Sequence, residues 1–318
     1  MTEMMQHFAF SISITGPICL MLLLGVALRS FNMINDNFIE IASKLVFQVT
    51  LPALLFLSII QSNTITAENV PLVVFGIIAT VVFFIFATIT TRILIKDPKD
   101  QGVIIQGAFR SNMAIIGLAY VTNAYGETGV AVAAIYIAGV TILYNILAVV
   151  ALTPKGQSSS ITSYVGMLKA IIKNPLIIAI TLALIASNLN LPIPKIIIHA
   201  GQHFANMTLP LALLCAGASL NIHELKHDKA ANIIASSYRL ILCPFMITFA
   251  AYWYGFKGLD LGIVFFMTSS PAAAASYVMA RAMGGNATLA ANIIALTTVG
   301  SIFTCSLGII LLSSLQLM

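Results

Sequence analysis

The sequence predicts an all-α polytopic membrane protein: ten transmembrane helices forming two inverted five-helix repeats, with crossing breaks in helices four and nine. Three observations predict it. Hydrophobic residues make up 59% of the 318 residues and charged residues only 8%, against roughly 45–50% and 25% in soluble domains. Ten apolar segments each approach the roughly 20 residues that a bilayer crossing requires. Two prolines, a serine and a glycine of the first half recur in the second at one gapless offset of 158 residues.

Segments one to five lie near 8–29, 38–61, 70–93, 102–123 and 129–152. The first contains Pro17 and has no basic stretch before it, so it reads as a retained helix and not as a cleaved leader. The polar stretch 153–163, "TPKGQSSSITS", separates the halves. Segments six to ten follow near 166–188, 196–221, 230–254, 259–281 and 287–316. The expected organisation is a first repeat over 1–152, a cytoplasmic linker over 153–163 and a second repeat over 164–318.

The repeat is carried by specific matches. Pro17 falls on Pro175, and Pro52 of "VTLPALL" falls on Pro210 of "MTLPLAL". Ser111 of "RSNMA" falls on Ser269 of "TSSPA", and Gly126 on Gly284. An odd number of crossings per repeat makes the second half enter from the opposite side. The charges agree with this. Arg29, Lys44, Arg92, Lys96, Lys99, Lys155, Lys169, Lys173, Lys226, Lys229 and Arg281 then share one side, and Lys195 and Lys257 the other. The basic side is cytoplasmic. The chain is therefore expected in the cell (inner) membrane with both termini on the outer or periplasmic side. The net charge of +5 follows from this asymmetry and calls for no nucleic acid.

Candidate function concentrates at two interruptions. Proline removes a backbone donor and clashes one turn back, and hydrocarbon offers no water to the freed groups. Ser269, Ser270 and Pro271 interrupt segment nine, and their repeat mates Ser111, Asn112 and Met113 sit inside segment four. Paired interruptions of this kind mark binding sites near the bilayer midplane, because half-helix amide ends attract anions. Pro271 is expected at the first turn of a new half-helix, with the serines as caps. The bland alternative is a packed proline kink whose serines bond back to the preceding turn. Arg110 reads either as the partner of an anionic substrate or as a side chain snorkelling to the cytoplasmic surface.

The stretch "GAFRSNMAIIGLAYVTNAYGETG" at 107–129 resembles the fourth span of the auxin efflux carrier family. "LVFQVTLPALLF" at 45–56, "KNPLIIAITLALI" at 173–185 and "SSPAAAASYVMARAMGGNATLAANIIALTTVGSIFT" at 269–304 resemble its second, sixth, ninth and tenth spans. The resemblance implies a scaffold part, a transport part with two crossing broken helices, and carboxylates as the substrate class. Carried over by position, Asn112 offers a side-chain amide, and Ser269, Ser270 and Pro271 form the opposing break. Met113 stands where plant members have a crossover proline, which makes a shallower break of segment four the expectation.

The function expected is secondary active or facilitative transport of small organic anions by alternating access, in the export direction. The alternative is a sodium- or proton-coupled symporter or antiporter of the same superfamily. A homodimer is one expected assembly. Asn145 and Tyr144 in segment five, and Asn292, Thr297 and Thr298 in segment ten, either line the cavity or bond between helices. Gln48 and Gln202 lie near the prolines of segments two and seven, and Arg239 reads as a cytoplasmic anchor. His199 and His203 stand one helical turn apart without a third ligand, and Glu127 falls in an exterior turn. Cys19, Cys215, Cys243 and Cys305 all lie in apolar segments without metal-like spacing. No metal, cofactor, phosphate loop or catalytic set is read from the sequence, so an enzyme is not expected.

Overall fold

The computed structural model describes residues 3–61, 69–153, 173–189, 191–220 and 229–318. Residues 154–163 of the linker, the start of segment six, and Lys155, Lys169 and Lys226 lie outside the described residues. The regular structure among the described residues is helical, apart from one isolated antiparallel bridge. That suits a bilayer, where a helix satisfies its own backbone. Helix α1 spans Glu3–Ser30. Helix α2 (Asp36–Leu45) passes through a π-turn (Val46–Thr50) into α3 (Leu51–Gln61). Helices α4 (Val70–Leu94) and α5 (Pro98–Phe109) follow, and a π-turn (Met113–Gly117) opens α6 (Leu118–Leu152). The later part holds α7 (Pro175–Asn188) and α8 (Lys195–Ala218). Helix α9 (Lys229–Ser237) passes through a π-turn (Tyr238–Leu242) into α10 (Cys243–Tyr254). Helices α11 (Gly258–Ser269), α12 (Ala275–Ala282) and α13 (Ala287–Ser314) complete the order.

Six stretches among the described residues are long and apolar enough to cross a membrane singly: Met5–Ser30, Asp36–Gln61, Val70–Leu94, Met113–Leu152, Ala230–Tyr254 and Ala287–Ser314. The sequence reading expected ten, and the difference has physical causes. Segments four and nine are interrupted, so each half is short. Segment six is described from residue 173 onward, which leaves the 14-residue α7. Helix α8 carries His199, Gln202 and His203 near its start, which lowers its apolar character. Segments four and five fall into one stretch because α6 is two helices joined at a sharp kink at Gly126, whose φ of 61° and ψ of −152° are not helical. That backbone region belongs to glycine.

Two groups of helices pack together. Helix α1 lies against α8, and α3 lies against both α7 and α8. Helices α4, α5, α6 and α9 to α13 form the second group, joined to the first through α1 with α13, and α3 with α6. On the α1–α8 seam the backbones nearly touch: a methyl on Gly25 would collide with the Leu214 carbonyl, and one on Gly217 with that of Leu22. Small residues permit this approach, which is how helices bind without a hydrophobic driving force between them. The outer surface is apolar, as a lipid-facing one must be. Val74, Ile78, Val82, Ile85 and Ile89 line one exposed side of α4, and Trp253 on α10 is 82% exposed.

Candidate functional site

Both expected interruptions are present, and they are bonded to each other. Helix α5 stops at Phe109 and leaves Arg110 extended (φ −82°, ψ 99°). Helix α11 stops at Ser269 and leaves Ser270 extended (φ −62°, ψ 146°), the conformation that a following proline imposes. Ser111 and Ala272 then face each other as an antiparallel pair. The Asn112 amide donates to the Pro271 carbonyl at 2.7 Å, and the Ala273 amide to the Arg110 carbonyl at 3.0 Å. The Ala272 amide donates to Thr297 Oγ1 at 3.1 Å. These bonds satisfy part of the backbone freed by the breaks inside the protein.

This pairing corrects two expectations. Segment four breaks without a proline, because the exchange with Pro271 and Ala273 holds its backbone extended up to the π-turn at Met113. Pro271 itself is not at a helix start; it lies in the extended piece, and α12 begins at Ala275. Ser270 bonds back to the Phe266 carbonyl at 2.7 Å, and Ser269 Oγ is buried without a hydrogen-bond partner among the described residues.

A cavity of about 360 Å³ lies between the two helix groups. Arg110, Ser111, Asn112, Met113 and Ala114 line it from one break, and Ala273, Ala274 and Ala275 from the other. Helix α6 contributes Thr141, Tyr144 and Asn145, the π-turn of segment two Phe47 and Gln48, and the start of α7 Asn174, Pro175 and Leu176. Of the residues singled out in the sequence, Ser269, Ser270 and Pro271 are not in the lining; Pro271 belongs to the pairing itself and the two serines precede it. Gln202 also stays away, donating to Asn206 Oδ1 at 2.9 Å.

Arg110 does not snorkel. Only 7% of it is exposed, and its guanidinium donates to Asn145 Oδ1 at 2.9 Å and to the Met279 sulfur. Among the described residues the ion pair found is Arg29 with Asp36, at 2.8 Å, so no carboxylate balances Arg110 there. Ser111 Oγ and the Tyr144 hydroxyl share a hydrogen bond of 3.1 Å. Three helical starts also meet the cavity: the π-turn at Met113, α12 and α7. First-turn amides have no partner inside their own helix and carry partial positive charge. Among the described residues the lining contains no aspartate or glutamate. Its electrostatics favour an anion.

Sequence reasoning missed several contributors. Asn174 caps α7, accepting from the Leu176 amide at 2.9 Å, with Pro175 in the first turn. Asn followed by Pro inside an apolar segment is a helix-start signal that would have found it. Ala273, Ala274 and Ala275 act through their backbone, and alanine gives no such signal. Arg239, expected as a surface anchor, is fully buried. Of the softer candidates, Thr297 caps Ala272, while neither end of the buried Asn292 amide has a partner among the described residues. Glu127 accepts from Ser58 Oγ at 3.2 Å, and His199 and His203 are exposed on α8.

Residues 12–309 match the model of a family described as membrane transport protein. The chain is similar to an uncharacterised transporter of Methanothermobacter thermautotrophicus, with 21% identity over 300 residues covering 93% of this chain and 96% of the relative. It is also similar to an uncharacterised transporter of Methanocaldococcus jannaschii, with 25% identity over 303 residues, 93% of this chain and 97% of the relative.

Proposed function

The chain belongs to the membrane transport protein family and is an integral multi-pass membrane transporter, not an enzyme; on that premise we propose that it carries small organic anions, carboxylates in particular, by alternating access. One observation carries the substrate class. The cavity joins a buried arginine to three helix starts, and among the described residues that arginine has no carboxylate partner and the lining holds no acidic side chain. A carboxylate entering it meets the Arg110 guanidinium, which can bind bidentately, and the Asn112 side-chain amide. Gln48 and Asn174 face the same space from the other helix group. Tyr144 and Asn145 hold Ser111 and Arg110 in place.

The cavity's position supports the mechanism. The Arg110–Ala114 and Ala273–Ala275 stretches belong to one helix group, and Phe47, Gln48 and Asn174–Leu176 to the other. Rocking one group against the other would open the same site to alternate sides. Duplication into ten spans is supported by element bounds that recur at nearly the same offset: Asp36–Gln61 with Lys195–Ala218, and Val70–Leu94 with the run from Lys229 to Tyr254. The contact of α1 with α8 has its repeat mate in that of α7 with α3. Gly126 and Gly284 both adopt positive φ, 61° and 75°.

The test is uptake into proteoliposomes of a panel of small mono- and dicarboxylates and their neutral amides, with and without imposed proton or sodium gradients. Saturable uptake of a carboxylate, competed by other carboxylates and not by the amides, is expected. Uptake restricted to neutral or cationic compounds would overturn the reading. A gradient requirement would select the coupled alternative. The inverted topology makes a second expectation. Single cysteines at the exposed Lys99 and Lys257 should label from opposite sides of intact cells, Lys257 from outside. Labelling of both from one side would remove the inverted repeat.

A further inference from the structure

The negative ends of the two broken helices also meet, at a place the cavity does not reach. The last carbonyls of a helix lack partners and carry partial negative charge. Helix α5 ends with the Ala108 and Phe109 carbonyls, and α11 ends beside the Thr268 carbonyl. One side chain receives all three. Arg239 donates through Nη1 to Ala108 O at 3.1 Å and Phe109 O at 2.9 Å, and through Nη2 to Thr268 O. Nη2 also meets Cys243 Sγ at 3.1 Å. Arg239 has no exposed surface, and it lies on the π-turn between α9 and α10, outside both broken helices.

We propose that Arg239 is a positioning residue of the transport site: a fixed guanidinium that neutralises both half-helix C-termini and holds the two breaks in register. This rests on the crossing being the transport site, as proposed above. Two like partial charges brought to one point repel unless a cation stands between them. A dissolved cation could do this, but it would exchange. A tethered one remains while substrate comes and goes, so the paired segments Arg110–Asn112 and Pro271–Ala273 keep their geometry. Guanidinium suits the task because its donors fork in a plane and reach several carbonyls at once. Arg110 and Arg239 therefore do opposite work: one faces the anion cavity, the other cancels the helix ends behind it.

Register can be read without any substrate. Ser111 and Ala272 form an antiparallel pair flanked, but not joined, by their hydrogen bonds, a geometry with Cα atoms about 4.5 Å apart and within disulfide range. The double variant Ser111→Cys/Ala272→Cys should therefore form a disulfide rapidly with a mild oxidant, identified by peptide mass. Adding Arg239→Ala should slow it roughly tenfold, the scale of a lost charged hydrogen bond. Millimolar guanidinium chloride should restore most of the rate, and Arg239→Lys should fall between. Arg239→Met crosslinking at the parental rate would show that volume alone suffices and overturn the proposal, as would a folded Arg239→Ala variant insensitive to guanidinium. If the alanine variant does not fold, lysine crosslinking faster than methionine sustains the proposal and equal rates overturn it. Failure of every carboxylate in the uptake screen would sink the substrate reading but leave this crosslinking result standing.

Discussion

Arg110→Ala is expected to lower carboxylate uptake efficiency by more than about a hundredfold, the consequence of losing roughly 3 kcal/mol of charge-assisted binding. The side chain is buried, pairs with no carboxylate among the described residues and lines the cavity beside Asn112. A buried cation held, among the described residues, by Asn145 Oδ1 and a thioether has most of its charge left for a ligand. Arg110→Lys should retain part of the function, with a loss of about tenfold, because an ammonium keeps the charge and forfeits the fork. The measurement is initial uptake against substrate concentration in proteoliposomes, with size-exclusion elution in detergent as the fold control. Uptake by the alanine variant within threefold of the parent would take Arg110 out of the substrate site.

The second large effect contrasts the two faces of the crossing. Asn112→Ala should reduce uptake efficiency by about ten- to thirtyfold, the scale of one or two hydrogen bonds to a charged group. The loss should come without unfolding, because the pairing uses the Asn112 backbone: its amide binds Pro271, and its carbonyl accepts from the Ile116 and Gly117 amides at 3.0 and 3.3 Å. The side chain makes no cap hydrogen bond and lines the cavity. Ser270→Ala should change uptake by less than about threefold, since that hydroxyl satisfies the Phe266 carbonyl and points away from the cavity. The same pair of kinetic curves decides both. If Ser270→Ala were the more damaging change, the substrate would be bound on the face behind the pairing.

These contrasts show how far the sequence could be read. The crossing was found from local chemistry: a proline between serines inside an apolar run, with a mate 158 residues earlier. Which atoms would face the cavity could not be found that way. Alanines 273 to 275 line it through backbone, and backbone exposure is a product of packing. The break at Met113 was underestimated for a related reason. The sequence there contains no helix breaker, and the extended backbone is held by hydrogen bonds to residues more than 150 positions away. Asn174 was within reach, since Asn-Pro is a local start signal, but it was absorbed into an apolar segment. Arg239 was misplaced because an arginine in the first turns of a span most often serves the membrane surface. Its true partners are three carbonyls on two other helices.

The sequence by itself determined that the chain lives in a bilayer, where its helices run and at which two points they fail. Those properties depend on side-chain hydrophobicity and on proline and glycine backbone limits, all of which act within a few residues. Only the tertiary structure decided that the two failures pair with each other, that their positive ends open on one cavity beside Arg110, and that their negative ends share Arg239. Hydrocarbon forces every freed backbone group to find a partner within the protein, and which partner it finds depends on how distant helices pack.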